Sequence, residues 1–426
     1  MLRTCLVVMF VAALNSQAEA GGRVARGRVL FERQWQDSEG AGPLFNARSC
    51  VGCHCRGGTG GAGDQQANVD VLTVLRTGKI GMLDSRLSTS GASAVLHVAN
   101  NDDESYRLTR FKLLGLGHQL KSAMPSSDPA WHRVSRAEQR VRDKGPRIRL
   151  NVKGGQLELS QRSTPALFGS GLIDDIPLQT MRETTVALTR QFPHVTGRIA
   201  GRFGWRGQTL NLRQFVVAAC DNELGLTEED AKIEEKDPIL RDKWELEDDL
   251  VDFIKALPRP KQTLPPGLIE RNVAKQGRQL FHTAGCTACH VPNLGEVEGL
   301  YSDLALHDMG RGLADSAGAP LPGQDLNPQP KYYSSGPPVP DAPLGIVDAA
   351  RREWKTPPLW GVATSAPYLH DGRAATLNDA ILMHSGEATQ SVALYRRLGG
   401  DGRRRLVAFL QTLRGPNSRD VDAVGR

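Results

Sequence analysis

Apolar positions recur at helical spacing in two stretches of this 426-residue chain. Between Trp244 and Leu257 they fall at Leu246, Leu250, Phe253, Ile254 and Leu257, one face of an amphipathic helix. Pro258, Pro260, Pro265 and Pro266 follow; they end that helix and predict a stiff connection. A second helix is predicted from Ile269 to Phe281. Around Arg147-Ile-Arg-Leu-Asn151 and in Gln156-Leu-Glu-Leu159 the pattern alternates instead, which predicts a β-hairpin across Gly154-Gly155. From Gly318 to Gly345 neither period holds and eight prolines intervene, so this stretch reads as an extended loop insert.

The apolar run from Leu6 to Leu14 is too short to span a bilayer core of about 30 Å. With Arg3 before it and Ala18-Glu19-Ala20 after it, Met1 to Ala20 has the form of an export signal. No later run is long enough for a membrane span, so the mature protein is expected in the periplasm of a bacterium. Gly (45) and Pro (25) are enriched, which predicts a loop-rich fold. Aromatics are only 5%, a deficit of core bulk that a bound cofactor would offset. The net charge of +6 raises nucleic-acid binding, but no helix-turn-helix, zinc-finger or RNA-binding signature accompanies it. The basic cluster from Arg133 to Arg149 reads as a solvated face or as a docking patch for an acidic electron donor.

Export leaves six cysteines in an oxidising compartment: Cys50, Cys53, Cys55, Cys220, Cys286 and Cys289. Their number suits three disulfides, but their spacing does not. Cys50-Val-Gly-Cys53-His54 and Cys286-Thr-Ala-Cys289-His290 are both C-x-x-C-H, the attachment motif of c-type haem. The two thiols add to the haem vinyl groups, and the adjacent His reaches the iron. Zinc needs four ligands; Cys55 offers a fourth at the first motif and nothing does at the second. Two covalent haem c groups are therefore expected. Cys55 and Cys220 are left as one disulfide or, preferably, as two free thiols.

The chain also repeats itself. Leu44-Phe45 and Leu280-Phe281 stand shortly before the two motifs. Gly27-Arg-Val-Leu30-Phe31 echoes Gly277-Arg-Gln-Leu280-Phe281, and Thr164-Pro-Ala-Leu-Phe-Gly169 echoes Thr356-Pro-Pro-Leu-Trp-Gly361. Phe203-Gly-Trp205-Arg206 through Leu210 likewise echoes Tyr368 through Leu377. Their shared order predicts a duplicated unit. The expected fold is mainly α: two cytochrome-c-like haem domains, 21–260 and 261–426, with long loops and a small β-hairpin in the enlarged first domain. The Pro-rich insert, 318–345, belongs to the second.

These residues resemble the bacterial di-haem cytochrome c peroxidase superfamily, in its di-haem oxidoreductase ("thiol oxidoreductase"-like) branch. The most specific pieces are Tyr301-Ser-Asp-Leu-Ala-Leu-His-Asp-Met-Gly310, Lys355-Thr-Pro-Pro-Leu-Trp-Gly361, Pro367-Tyr-Leu-His-Asp-Gly-Arg373 with Thr376-Leu377, and Gly201-Arg-Phe-Gly-Trp205. The resemblance implies a peroxidatic haem in the first domain and a relay haem in the second. It puts His384 at the distal ligand position of the relay haem, where related peroxidases often have Met; bis-histidine iron has a lower potential than His/Met iron. Met383 points about 100° away on a helix, so only one of the two faces the iron. His307 and Met309 are the rival ligands. The resemblance also implies Glu223 as the acid/base of the first haem, with Gln214 beside it and Trp205 as an electron relay between the haems. A distal ligand for the first haem is not legible among His97, His118, Met124 and His132. Calcium at the domain interface is a family expectation without a ligand set here.

The function expected is a periplasmic peroxidase-like oxidoreductase. Hydrogen peroxide or another small oxidant is reduced at the N-terminal haem, and a small c-type cytochrome or cupredoxin donates electrons through the C-terminal haem. The alternative is a di-haem electron-transfer cytochrome with no substrate of its own. Cofactor maturation of a partner stays open, and a thiol-oxidoreductase role lacks a supporting pair motif at Cys55 or Cys220.

Overall fold

The computed structural model describes residues 21–35, 47–76, 92–96, 147–152, 155–224, 243–315, 318–324, 326 and 344–426. The leader, Leu44-Phe45, His97, His118, Met124, His132, Arg133 to Lys144 and much of the insert lie outside them. The fold is mainly helical with small antiparallel strand pairs.

In chain order the helices are α1 (21–32), α2 (Cys50–Cys53), α3 (Ser170–Asp174), α4 (Leu178–Gln191), α5 (Leu212–Leu224), α6 (Lys243–Ala256), α7 (Leu268–Thr283), α8 (Leu344–Arg352), α9 (Leu377–Met383), α10 (Thr389–Arg397), α11 (Gly399–Leu410) and α12 (Ser418–Asp422). The predicted helices are α6 and α7; Leu246, Leu250, Phe253, Ile254 and Leu257 are all buried, as their spacing requires. The predicted hairpin is β3 (Arg147–Val152) with β4 (Gly155–Arg162), Val152 opposite Gly155. It is part of a larger antiparallel sheet of order β2-β1-β4-β3, with β1 (Val69–Arg76) and β2 (Ala92–Leu96).

The echoes along the chain correspond to repeated contacts. At Gly27, α1 crosses α6 so closely that a Cβ would stand 1.9 Å from the Asp249 carbonyl oxygen. At Gly277, α7 crosses α11 with the same 1.9 Å approach to Arg405. One turn later, Phe31 meets Phe253 at 5.2 Å between ring centroids, and Phe281 meets Phe409 at 5.5 Å. Phe203 bridges Thr209 in the turn before α5, as Tyr368 bridges Ala374 in the turn before α9. Gly169 and Gly361 both take positive φ, 73° and 78°, to start a helical turn.

Two apolar clusters result among the described residues. One gathers Leu30, Phe31, Trp35, Met181, Leu212 and Phe253; the other gathers Phe281, Tyr395, Leu406 and Phe409. The proline connection is strapped down: Thr263 N–H donates to the Thr412 carbonyl at 2.8 Å. The C-terminus returns to the first cluster. Val421 is buried there, and the Arg28 guanidinium donates to the carbonyls of Asp422 (2.9 Å) and Val424 (2.8 Å).

Candidate functional site

Each C-x-x-C-H motif forms one helical turn, so both thiols and the His project from a single small loop. At the first, Ser49 caps α2 by accepting from Gly52 N–H (3.1 Å), and His54 N–H closes the turn on the Cys50 carbonyl at 2.8 Å. At the second, Gly285 (φ 77°) leads into the turn, and His290 N–H donates to the Cys286 carbonyl at 3.0 Å. Phe31 lies 6.2 Å from the His54 ring and Phe281 lies 6.3 Å from the His290 ring.

The imidazoles are oriented alike. His54 Nδ1 is 3.2 Å from the Gly61 carbonyl, and His290 Nδ1 is 2.9 Å from the Tyr301 carbonyl. Burial pushes both rings down to about 4, against the pull of those carbonyls, so both are neutral at pH 7. A neutral imidazole whose Nδ1–H is held by a carbonyl offers Nε2 to a metal. Burial also pushes Cys50, Cys53 and Cys286 up to about 12 and raises Cys289. These protonated thiols are not the activated thiolates of a redox disulfide site. No described cysteine is in a disulfide; Cys55 is exposed and Cys220 buried.

His384 caps the C-terminus of α9 and its Nδ1 lies 2.7 Å from the Ala380 carbonyl. Burial lowers its pKa, and it in turn depresses His290. The two rings line the same cavity, of about 320 Å³, with Cys286 and Cys289. That volume is in the range of cofactor pockets. Met383 is 41% exposed, so of the neighbouring pair His384 is the one turned inward. His307 is committed elsewhere: Nδ1 is 2.8 Å from Glu387 and Nε2 is 2.9 Å from Asp303. Burial opposes its charge, but Asp303 and Cys289 outweigh burial and raise its pKa well above the usual value. Met309 lines the cavity.

The other expected residues are spread out. Glu223, near the end of α5, adds to the upward shifts of Cys50 and Cys53, so its carboxylate is within electrostatic range of the first motif. Gln214, at the start of the same helix, accepts from Leu210 N–H (2.9 Å) and donates to the Leu326 carbonyl (3.3 Å). Trp205 lines the cavity, and its indole donates to the Ser163 carbonyl at 2.7 Å.

Sequence reasoning missed several cavity residues. Lys355 is buried on the cavity wall, and no hydrogen bond from its ammonium is found among the described residues. Burial pushes it down to about 8, partly offset by Asp303. Trp354 stacks on His370 at 3.5 Å and 14°, and the Arg206 guanidinium lies 3.5 Å from the Trp354 ring. Arg206 and Arg162 share Asp315 at 2.6 and 2.8 Å, all three buried. The signal for Lys355 and His370 was their place in the quoted motifs; no periodicity marks them. Among the described residues no cluster of three or more His, Cys, Asp or Glu suits a metal ion.

Residues 344–413, which span α8 to α11 and include His384, match the family model described as di-haem oxidoreductase, putative peroxidase. That segment is similar to di-haem oxidoreductases of the cytochrome c peroxidase-like superfamily. It is 32% identical over 148 residues to the methylamine utilization protein MauG of Methylorubrum extorquens, covering 33% of this chain and 34% of that protein. It is 32% identical over 117 residues to the hydrazine synthase subunit gamma of Kuenenia stuttgartiensis, covering 25% and 31%. The matches thus span about a third of each relative. Among solved structures, the chain is similar to hydrazine synthase of Kuenenia stuttgartiensis (TM-score 0.32, 19% identity, 60% of this chain and 73% of that one). It is also similar to a MauG-like protein associated with microbial copper homeostasis (TM-score 0.33, 19% identity, 53% and 72%). Among the described residues no helix is long and apolar enough to cross a membrane.

Proposed function

We propose that the chain is a periplasmic di-haem c-type oxidoreductase of the peroxidase kind. Cys50 and Cys53 would hold one haem by thioethers with His54 as ligand; Cys286 and Cys289 would hold the other, with His290 and His384 as ligands. The observation that carries this reading is the matched pair His290 and His384: both neutral, both with Nδ1 on a backbone carbonyl, both lining one cavity. Bound haem would supply a redox-active iron at each site.

The protein's own residues then divide the work. Two imidazoles at the second site leave no place there for a substrate, which suits a relay. Glu223 is the acid/base of the first site: peroxide cleavage requires a proton to move from the near oxygen to the leaving one, and a carboxylate beside the motif can take and return it. Trp205, between the Ser163 carbonyl and the cavity, is positioned for electron passage between the sites. Lys355 would offer its ammonium to an acidic group of the haem, which, with Asp303, would offset the cost of burying a cation. A small c-type cytochrome or cupredoxin is the donor, and hydrogen peroxide or another small oxidant is the acceptor.

A second reading, an electron-transfer cytochrome without a substrate, gains support from Gln214, whose amide is spent on Leu210 and Leu326. Rapid mixing of the half-reduced protein with hydrogen peroxide separates the two. Fast reoxidation that turns over with added donor supports the peroxidase reading. No reaction in either redox state supports the carrier.

A further inference from the structure

The positive charge of the chain is not spread evenly. Helices α7, α10 and α11 carry eight Arg and Lys against two acids, Glu270 and Asp401. Their excess of six equals the net charge of the whole chain, +6, so the remainder is neutral on balance. On α7 the residues Arg271, Lys275, Arg278 and His282 are spaced by four, three and four, which puts them on one face, and all are exposed. Arg396 and Arg397 of α10 and Arg404 of α11 are exposed as well. Asp401 is engaged by Arg404 and Arg405. Among the described residues no carboxylate pairs with Lys275, Arg278, Arg396 or Arg397. Like charges at helical spacing repel, so this face lacks an internal compensation.

The face surrounds the edge where the second motif meets the surface. Helix α7 ends just before Cys286. Ser391 of α10 lies against Gly285, where a Cβ would come within 3.1 Å of its hydroxyl. Arg278 hydrogen-bonds Tyr301, whose carbonyl holds His290. Tyr395 feels both Arg403 and Cys286. The apolar side of α7 packs against α11, where Ala274, Gly277 and Phe281 are buried; its exposed large apolar side chains, Leu268 and Ile269, are confined to the first turn, away from Cys286.

We infer that the basic surface of α7, α10 and α11 around Cys286 is the docking face for an acidic redox protein that exchanges electrons with the second site. This rests on the reading of Cys286 to His290 as a haem site. A cation-rich rim at an electron-entry edge steers an anionic partner and raises its association rate by roughly 10- to 1,000-fold at low salt.

The test uses the haem-loaded, fully reduced protein mixed with one of two oxidised probes: plastocyanin, an acidic cupredoxin, or mitochondrial cytochrome c, a basic haem protein. One electron passes from ferrous to ferric iron on the protein's side, and from Cu(II) to Cu(I) or from Fe(III) to Fe(II) on the probe's; no atom or proton needs to move. The plastocyanin rate is expected to fall at least about tenfold as salt rises, and the cytochrome rate to stay flat or rise. Lys275→Glu/Arg397→Glu should abolish the plastocyanin advantage. Arg182→Glu/Arg190→Glu, an equal change of net charge on exposed positions of α4, should keep most of it. Equal loss in both pairs, or no salt dependence in the wild type, overturns the docking face. So does binding to phosphatidylglycerol vesicles without salt-sensitive transfer to plastocyanin, which would assign the face to lipid. A pyridine haemochrome assay showing one haem per chain, with Cys286 unmodified, would instead sink the underlying haem reading.

Discussion

His290 and His384 are 94 positions apart in sequence, yet they line one cavity, each with its Nδ1 on a backbone carbonyl, 2.9 Å from Tyr301 and 2.7 Å from Ala380. The pairing predicts a bis-imidazole iron at the second site. His384→Met should raise that haem's potential and give His/Met spectral features, because a thioether ligand favours the reduced iron. A redox titration followed by near-infrared spectroscopy checks this. Wild-type spectra and potential in the variant would move the ligand to Met309, since both nitrogens of His307 are taken by carboxylates.

The two attachment turns predict a mass increase of two haems over the polypeptide. Cys286→Ser/Cys289→Ser should remove only the second haem, because the Cys50 turn is built on separate contacts at Ser49 and Gly61. Intact mass spectrometry of both proteins reads the count directly. An unmodified wild-type chain would end the di-haem reading.

Glu223 touches the electrostatics of Cys50 and Cys53 from the end of α5. Glu223→Gln keeps the shape and hydrogen-bonding capacity but cannot shuttle a proton. Its reaction with hydrogen peroxide is expected to slow by about 10²–10⁴-fold, with both haems and cyanide binding retained. Unchanged stopped-flow kinetics would make Glu223 a surface carboxylate.

How much of this was legible in the sequence depends on how local each feature is. The attachment turns are contiguous, so their chemistry is written in five residues. Helices α6 and α7 were legible because each buries one continuous apolar stripe. The β3–β4 hairpin was legible because Gly154-Gly155 marks its turn, but β1 pairs with β4 across some 80 positions and left no local sign. The same is true at the site. Trp354, His370 and Arg206 come from three separated segments, and their stack exists only once the chain is folded. Which of Met383 and His384 lines the cavity turns on where α9 ends, a matter of one residue.

Lys355 puts a cation on the cavity wall. Replacing it with Met removes positive charge near the second haem and favours the ferric form. The potential should therefore fall, by an amount on the order of tens of millivolts for one charge at this range. The covalent haem count should not change. A potential equal to wild type would show that Lys355 serves packing alone.

The close crossing at Gly277 makes a prediction about stability that is independent of haem chemistry at either iron. In an open helix, Gly→Ala gains about 0.5–1 kcal/mol from reduced backbone entropy in the unfolded chain. At Gly277 the added methyl would stand 1.9 Å from the Arg405 carbonyl oxygen and 2.9 Å from the Phe409 Cβ. Backbone cannot yield there as a side-chain tip can, so α7 must lift off α11. The overpacking cost, about 1–3 kcal/mol or more, outweighs the entropy gain. Gly400→Ala is the contrast: it is exposed on α11, and its nearest neighbour is the flexible tip of Arg404 at 3.4 Å. Chemical denaturation of the two variants should give opposite signs, a lower midpoint for Gly277→Ala and an unchanged or higher one for Gly400→Ala. A neutral Gly277→Ala would mean that the two helices do not touch at this point, and the equivalence with Gly27 against Asp249 would fail with it.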